Sequence, residues 1–421
     1  MIRRRAFLQI AASACATFAW ESGRLSSAQV GKAAKPIPKP LPKNKEVFRA
    51  ALDTLKKELA DGIERSKSPY AGGLKLHNKS VDGTYRGLWP DDFLYPMMVQ
   101  PKIYGANELV RLAQFLTESV VDLECVPDRL QSDGLPILQP GGLREPVAEH
   151  MPLHLPAAWV RLLAGLEFCG VAIPRKDSWA SVIRRSFDRV PFSCGLAYVD
   201  PQRPYVGAGV HDTCAITGWE LMSSLILQRG LERAAVLFKG SVGRGVLERW
   251  SEQAAGIKLN LHRLWEERVG AFLAGSRDCR QVDIWANGLA YWMVEPAIRR
   301  QIVEFFRTNR ERIFNLGFTR QILEPKGWQR QLVEVPLGAY VNGGFWPAGT
   351  GWVLPAIADQ DNELAAEITK ELVENLVKFK YPEWVSAEGK PSGARGFLTS
   401  LAMPMLGLTC IVEGRSFAEC F

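Results

Sequence analysis

Histidine is scarce in this chain, five residues in 421, and none stands in an HExxH pattern. His150 and His154 have i, i+4 spacing, but Pro152 between them breaks the helix that would turn both rings toward one metal ion. Cysteine is no better arranged. After position 45 the cysteines are Cys125, Cys169, Cys194, Cys214, Cys279, Cys410 and Cys420, an odd set with no CxxC pair. That excludes an even disulfide framework, leaves room for one or two bridges, and marks most of them as core thiols. Gly240 and Gly245 have the glycine spacing of a phosphate-binding loop. Val246 and Leu247 stand where its lysine and hydroxyl residue belong, so nucleotide binding is not supported.

The positive charge is confined to one end. Nine Lys/Arg against one acid in residues 1–45 give +8, so the formal +7 of the whole chain leaves −1 for the rest. A nearly neutral body gives no electrostatic case for nucleic acid as a partner. Residues 1–28 read as an export signal: Arg4-Arg5-Ala6-Phe7-Leu8 resembles a twin-arginine motif, an apolar stretch runs from Ile10 to Trp20, and Ser26-Ser27-Ala28 offers small residues for cleavage. The apolar stretch is shorter than the roughly 20 residues of a membrane span. An exported chain, periplasmic or extracellular, without stable membrane insertion is therefore expected. Residues 29–45 alternate lysine and proline, as an extended solvated linker does. No similar break occurs in residues 46–421, which read as one domain of unspecified oligomeric state.

Alternating strands are few, and Gly195 to Val199 is the best of them. Helical periodicity covers Glu46–Ile63, Asn107–Leu123, Leu155–Cys169, Ser178–Val190, Thr213–Gln228, Leu231–Lys239, Gly245–Glu267, Ile284–Val294, Ala297–Ile313, Trp352–Ala358, Asn362–Lys378 and Ala394–Val412. This is an all-α chain without the regular repeat of a solenoid. Charge-rich helices such as Ala297–Ile313 and Asn362–Lys378 lie between apolar, Gly/Ala/Trp-rich ones such as Ile284–Val294. That alternation fits a closed (α/α)6 toroid of inner and outer helices.

Five short segments combine aromatic, glycine and carboxylate or amide residues at or near the starts of apolar helices. They are Trp89-Pro90-Asp91-Asp92-Phe93, Gly209-Val210-His211-Asp212-Thr213, Val282-Asp283-Ile284-Trp285-Ala286-Asn287-Gly288, Asn342-Gly343-Gly344-Phe345-Trp346 and Tyr381-Pro382-Glu383-Trp384. An aromatic face stacks on the apolar face of a sugar, while carboxylates and amides bond its hydroxyls and serve as acid and base. In a toroid these segments converge at one mouth, so the expected partner is a carbohydrate substrate. Asp92 is the expected sugar ligand of the Asp91-Asp92 pair, with Asp91 capping the following helix. Asp283 and Asn287 share one helical face and are expected to bond the substrate beside Trp285. Asn342, Trp346, Trp384, Trp89, His211 and Arg395 complete the predicted subsite.

These segments resemble the six-hairpin glycosidases, the toroids that include trehalases, glucoamylases and glycogen-debranching-type enzymes, over most of the chain from Tyr85 to Leu408. The resemblance implies a glycoside hydrolase, usually inverting, with a general acid near the middle of the chain and a general base near its C-terminal end. By position Asp212 is the acid and Glu383 the base, with Glu388 and Glu334 as competing bases. Such chemistry needs no cofactor and no metal; one carboxyl must stay protonated while the other ionises, roughly 6.5–9.5 Å away. Asp212 is expected to open a long helix, whose N-terminus would favour the ionised form unless burial dominates. A polysaccharide lyase or sugar epimerase on a related toroid, and a non-catalytic glycan-binding protein, are the alternatives.

Overall fold

In the computed structural model, which describes residues 44–141, 147, 148, 150–323 and 326–417, apolar and amphipathic helices take turns along the chain. Twelve have seven residues or more: α1 (Lys45–Ser66), α2 (Pro90–Val99), α3 (Ala106–Val120), α4 (Leu155–Phe168), α5 (Lys176–Asp188), α6 (Leu221–Leu237), α7 (Arg244–Asn260), α8 (Ile284–Ala290), α9 (Pro296–Thr308), α10 (Pro347–Gln360), α11 (Asn362–Lys378) and α12 (Thr399–Glu413). The even-numbered helices are the apolar ones. All residues of α8 are buried, as is every residue of α10 from Pro347 to Ala358. By contrast α9 buries only Ile302, Val303, Phe305 and Phe306, one stripe of an otherwise solvated helix.

Those burial patterns dictate the layers, because a helix apolar all round must be covered on all sides. The even-numbered helices pack in a ring, α2 on α4, α4 on α6, α6 on α8, α8 on α10, α10 on α12 and α12 back on α2. Odd-numbered helices lie against them, with α7 on α6, α11 on α10, and α1 on both α11 and α12. The architecture is all-α, an (α/α)6 toroid. Small antiparallel sheets occupy the connections. One has five strands, ordered 314–315, 318–320, 345–346, 384–385 and 391–392. The expected strand near residue 195 is present as Leu196–Val199.

Two whole helices differ from expectation. The segments 213–228 and 231–239 are not two helices: α6 runs unbroken through Gly230 and begins only at Leu221. Gly230 serves close approach, since a Cβ there would lie 2.1 Å from the Cβ of Ala157 on α4. The inner helix α2 was not foreseen, because its ten residues carry an interior proline, Pro96, that masks the period. Missing one helix and dividing another left the number of segments at twelve.

Cys125, Cys214 and Cys279 are buried free thiols, Cys169 and Cys194 are free and more accessible, and Cys410 is disulfide-bonded. The export signal at 1–28 and residues 29–43 of the linker lie outside the described residues; Asn44 and Lys45 open α1. No helix among the described residues is long and apolar enough to cross a membrane.

Candidate active site

The N-terminal ends of the inner helices and the loops leading into them enclose a cavity of about 770 Å³, walled by Trp89, Asp91, Asp92, Asp212, Trp285, Tyr340, Trp346 and Glu383 among others. Its size suits a mono- or disaccharide-sized ligand. Both carboxyls expected to carry chemistry stand in this wall. Glu388 and Glu334 do not; both are exposed, and Glu388 accepts a hydrogen bond from Ser386 at the surface.

Glu383 is positioned by a β-hairpin. Trp384 pairs with Ser392 and Val385 with Pro391, which sets the Glu383 N–H on the Ala394 carbonyl at 3.0 Å. The Ala394 N–H returns to Glu383 Oε2 at 2.8 Å. Between them Gly393 takes φ 72°, and a Cβ there would fall 2.5 Å from Oε2. Glycine is therefore required at this turn twice over, by conformation and by space. The Tyr85 hydroxyl donates to Glu383 Oε1 at 2.8 Å. The side chain is only 3% exposed. Burial raises its pKa; the Ala394 N–H, the nearby Lys79 ammonium and the Tyr85 hydroxyl oppose that rise. Both oxygens thus accept bonds that favour the carboxylate.

Asp212 has the complementary surroundings. It follows the one-turn 3-10 segment Gly209–His211 and precedes α6 by nine residues, so it sits in a loop and not at a helix start. The helix-dipole objection to a protonated Asp212 is removed. Burial is the largest influence and takes its pKa from 3.8 to about 6, against the pull of Lys79 and of the Tyr340 hydroxyl, which donates to Oδ2 at 3.1 Å. Oδ1 is buried with no hydrogen-bond partner among the described residues. Burial raises the pKa of both carboxyls; Glu383 has donors on both oxygens that oppose the rise, whereas Asp212 has one donor and an uncommitted oxygen.

Asp91 and Asp92 sit in the first turn of α2 after Pro90, and neither caps it through its side chain. Both face the cavity wall but bond to different partners. Asp91 accepts from Arg161 at 3.0 Å and lies 3.5 Å from His154 Nε2. Asp92 lies 3.0 Å from Lys79 Nζ and accepts from the Thr399 hydroxyl. His150 is turned elsewhere, edge-on to Tyr205, so the two histidines do not converge. Trp285, Trp346 and Trp352 form a contiguous aromatic wall, with Trp285 5.8 Å from Trp346 and 5.5 Å from Trp352 between ring centres. Trp89 stands across the ring beside Tyr85, at 5.8 Å.

Six predicted subsite residues lie off the cavity wall, and most have their polar groups committed elsewhere. His211 and Asp283 are buried behind Asp212. His211 Nε2 is 2.7 Å from Asp283 Oδ2, and Nδ1 is 3.6 Å from Glu220 Oε1. Glu220 caps α6 through the Ser223 N–H, and Asp283 caps α8 through the N–H groups of Trp285 and Ala286. Burial alone would lower the His211 pKa, but Asp283 and Glu220 hold it above the ordinary value. His211 thereby ties together the caps of two neighbouring inner helices. Asn287 bonds the N–H and carbonyl of Phe272 and the carbonyl of Asp283. Asn342 accepts from the Trp328 N–H and donates to the Val335 carbonyl. Trp384 packs 6.5 Å from the Tyr340 ring, and the exposed Arg395 follows the Glu383 hairpin with its N–H on Asp82. Cavity residues not foreseen as such include Lys79, Tyr85, Asp128, Arg129, Tyr340 and Thr399. Tyr85 alone had a signal, four residues before Trp89 at the edge of an aromatic segment.

No protein-family model and no curated protein matches the chain. Solved structures do resemble it in shape. Mannosylglycerate hydrolase from Thermus thermophilus, in complex with glucose, superposes with TM-score 0.56 at 14% identity, covering 83% of this chain and 99% of that one. A rhamnosidase from Klebsiella oxytoca with rhamnose bound gives 0.58 at 12% identity, over 87% and 64% of the two chains. Glucoamylase from Saccharomycopsis fibuligera gives 0.54 at 11% identity, over 89% and 97%. The chain shares its fold with these six-hairpin glycosidases.

Proposed function

We propose that the protein is an inverting glycoside hydrolase acting on a small or terminal glycoside. The observation that carries this reading is the pair of unlike carboxyls in one sugar-sized cavity, Asp212 raised to about 6 by burial and Glu383 bonded at both oxygens. The shared fold with three enzymes named as glycosidases supports it. In this mechanism Asp212 gives its proton to the glycosidic oxygen as the bond from that oxygen to the anomeric carbon breaks. Glu383 takes a proton from a water whose oxygen bonds the anomeric carbon from the opposite face. Asp92 bonds sugar hydroxyls, and Trp89, Trp285 and Trp346 provide apolar walls.

A lyase needs cations to neutralise a uronate. Of the Lys/Arg residues in the cavity wall, Lys79 and Arg129 are matched to Asp92 and Asp128, which leaves Arg86 alone to meet a uronate and favours hydrolysis. We also infer export by the twin-arginine-like signal, which fits a glycosidase meeting substrate outside the cytoplasm.

The test is turnover of a panel of α- and β-linked disaccharides and aryl glycosides by the parent, Asp212→Asn and Glu383→Gln. The expected result is hydrolysis of at least one substrate by the parent and a loss of about 10²–10⁴-fold in each folded variant. Unimpaired turnover in both variants would sink the assignment. Binding of a sugar without turnover by the parent would select the glycan-binding alternative.

A further inference from the structure

Lys79 belongs to no predicted motif, yet it occupies the centre of the cavity's charge. Its side chain is 18% exposed and its Nζ is 3.0 Å from Asp92 Oδ2. Three aromatic rings surround the ammonium, those of Tyr85, Trp89 and Phe397, at 4.7, 4.9 and 5.3 Å from their centres. Such a cage favours a cation and fixes where it sits. Tyr85 is shared: it is a wall of the cage and the donor to Glu383 Oε1. Asp92 is shared as well, held by Lys79 on one oxygen and by Thr399 on the other. The ammonium is thus locked into the same network that orients the expected base and the expected sugar ligand.

The titratable groups that face Lys79 come from every element around it. They are Asp91 and Asp92 on α2, Asp128 on the loop after α3, Asp212 before α6, Glu383 on the hairpin and the Tyr85 phenol. Lys79 acts on both carboxyls of the pair in the same sense, favouring the anion at Asp212 and at Glu383. Arg129, another cation of the cavity wall, is committed to Asp128 at 2.8 Å and to the carbonyls of Gln139 and Gly141.

We propose that Lys79 is a positioning residue of the site: its caged ammonium immobilises Asp92 and, through the shared Tyr85, the Glu383 carboxyl, and it fixes a positive charge in the cavity that Asp212 and Glu383 line, so that it sets the pH range in which the pair can work as acid and base. An opposite charge in the same desolvated cavity moves a carboxyl's titration toward the anion. Loss of the charge therefore lowers the ionised fraction of Glu383 on the acid side of the profile, and lets Asp212 keep its proton to higher pH.

The kinetic part of this proposal rests on the hydrolase reading, and the experiment separates the two. Parent, Lys79→Met and Lys79→Arg are labelled with ¹³C at the Asp carboxyl carbon. The Asp212 resonance, assigned with Asp212→Asn, is titrated in the resting protein, and pH profiles of kcat/KM are recorded on any hydrolysed glycoside. The expected result is an Asp212 titration moved to higher pH in Lys79→Met and restored in Lys79→Arg, with both limbs of the kinetic profile moving the same way. If Lys79→Met does not fold, Lys79→Met/Asp92→Asn removes the pair together. Asp212 still titrates at higher pH there, because Lys79 ranks among the strongest influences on it and Asp92 does not. An unmoved Asp212 titration in a folded variant, or an arginine that fails to restore it, overturns the proposal. Moved titrations without hydrolysis of any glycoside would instead sink the hydrolase reading and leave the role of Lys79 standing.

Discussion

Asp212→Asn should abolish the proposed acid while making the protein more stable at neutral pH. The reasoning follows from the direction of the Asp212 shift. Its folded pKa, about 6, lies above the ordinary 3.8 because burial disfavours the anion. Below pH 3.8 the carboxyl is protonated in both states and costs nothing; as pH rises from there to about 6 the unfolded chain ionises first, and folding loses stability. Above pH 6 the loss is complete. A rise of about two units at 1.36 kcal/mol per unit corresponds to about 3 kcal/mol as an upper figure. Asparagine carries no charge and can still accept from the Tyr340 hydroxyl, so it avoids this cost. Equilibrium urea unfolding of parent and variant at pH 4 and at pH 7.5 measures the difference. The variant should be nearly equal to the parent at pH 4 and more stable by up to about 3 kcal/mol at pH 7.5. A stability difference that does not change with pH would refute the claim that burial destabilises the Asp212 anion. Stabilisation by removal of a working group is the pattern expected where a site is strained for function.

Further predictions concern the groups around Glu383 and the inner helices. Tyr85→Phe removes a bond to a charged acceptor worth about 1.5–3 kcal/mol, so the acid limb of the kcat/KM profile moves to higher pH and activity on that side falls tenfold or more; an unmoved acid limb would show that Tyr85 does not support the carboxylate. Gly393→Ala puts a methyl against Glu383 Oε2 and forces a left-handed residue, so kcat should fall steeply while the far-ultraviolet circular dichroism spectrum stays that of the parent; parental kcat would show that the hairpin does not position Glu383. Asn287→Ala leaves the Phe272 N–H and carbonyl unpaired, at about 1–3 kcal/mol each, while the Asp283 carbonyl keeps the backbone N–H of residue 287. Urea unfolding should show the loss, and KM for any hydrolysed glycoside should change little; a raised KM with unchanged stability would return Asn287 to the subsite.

Much of the toroid is legible from the sequence because inner and outer helices bury different fractions of their surface. The apolar run around Trp352 and the single stripe of Ala297–Ile313 lead directly to an inner and an outer helix. Where a residue has two physical readings, periodicity does not choose between them. Gly230 reads as a break in the sequence and is a contact between α4 and α6 in the structure. The site is legible to the same degree: aromatic and acidic clusters at the starts of inner helices identify the mouth, and Asp91, Asp92, Asp212, Glu383, Trp89, Trp285 and Trp346 all line it. Spacing does not reveal whether a buried polar group serves a ligand or the backbone. Asp283, Asn287 and Asn342 have the chemistry of sugar ligands, but helix caps and unpaired peptide groups take up their bonds. Lys79 escaped notice for the opposite reason: its partners, Asp92, Tyr85 and Phe397, are assembled from both ends of the chain, and no local pattern records them.

The stereochemistry of the first product tests the two-carboxyl account most directly. With any glycoside the protein hydrolyses, proton NMR in the first minutes distinguishes the two anomers before mutarotation mixes them. Attack by a water activated at Glu383, on the face opposite the oxygen protonated by Asp212, predicts that the released sugar appears first as the anomer inverted from the substrate. Initial appearance of the retained anomer would contradict that account, because it requires a covalent intermediate on one carboxyl and a different division of roles between Asp212 and Glu383.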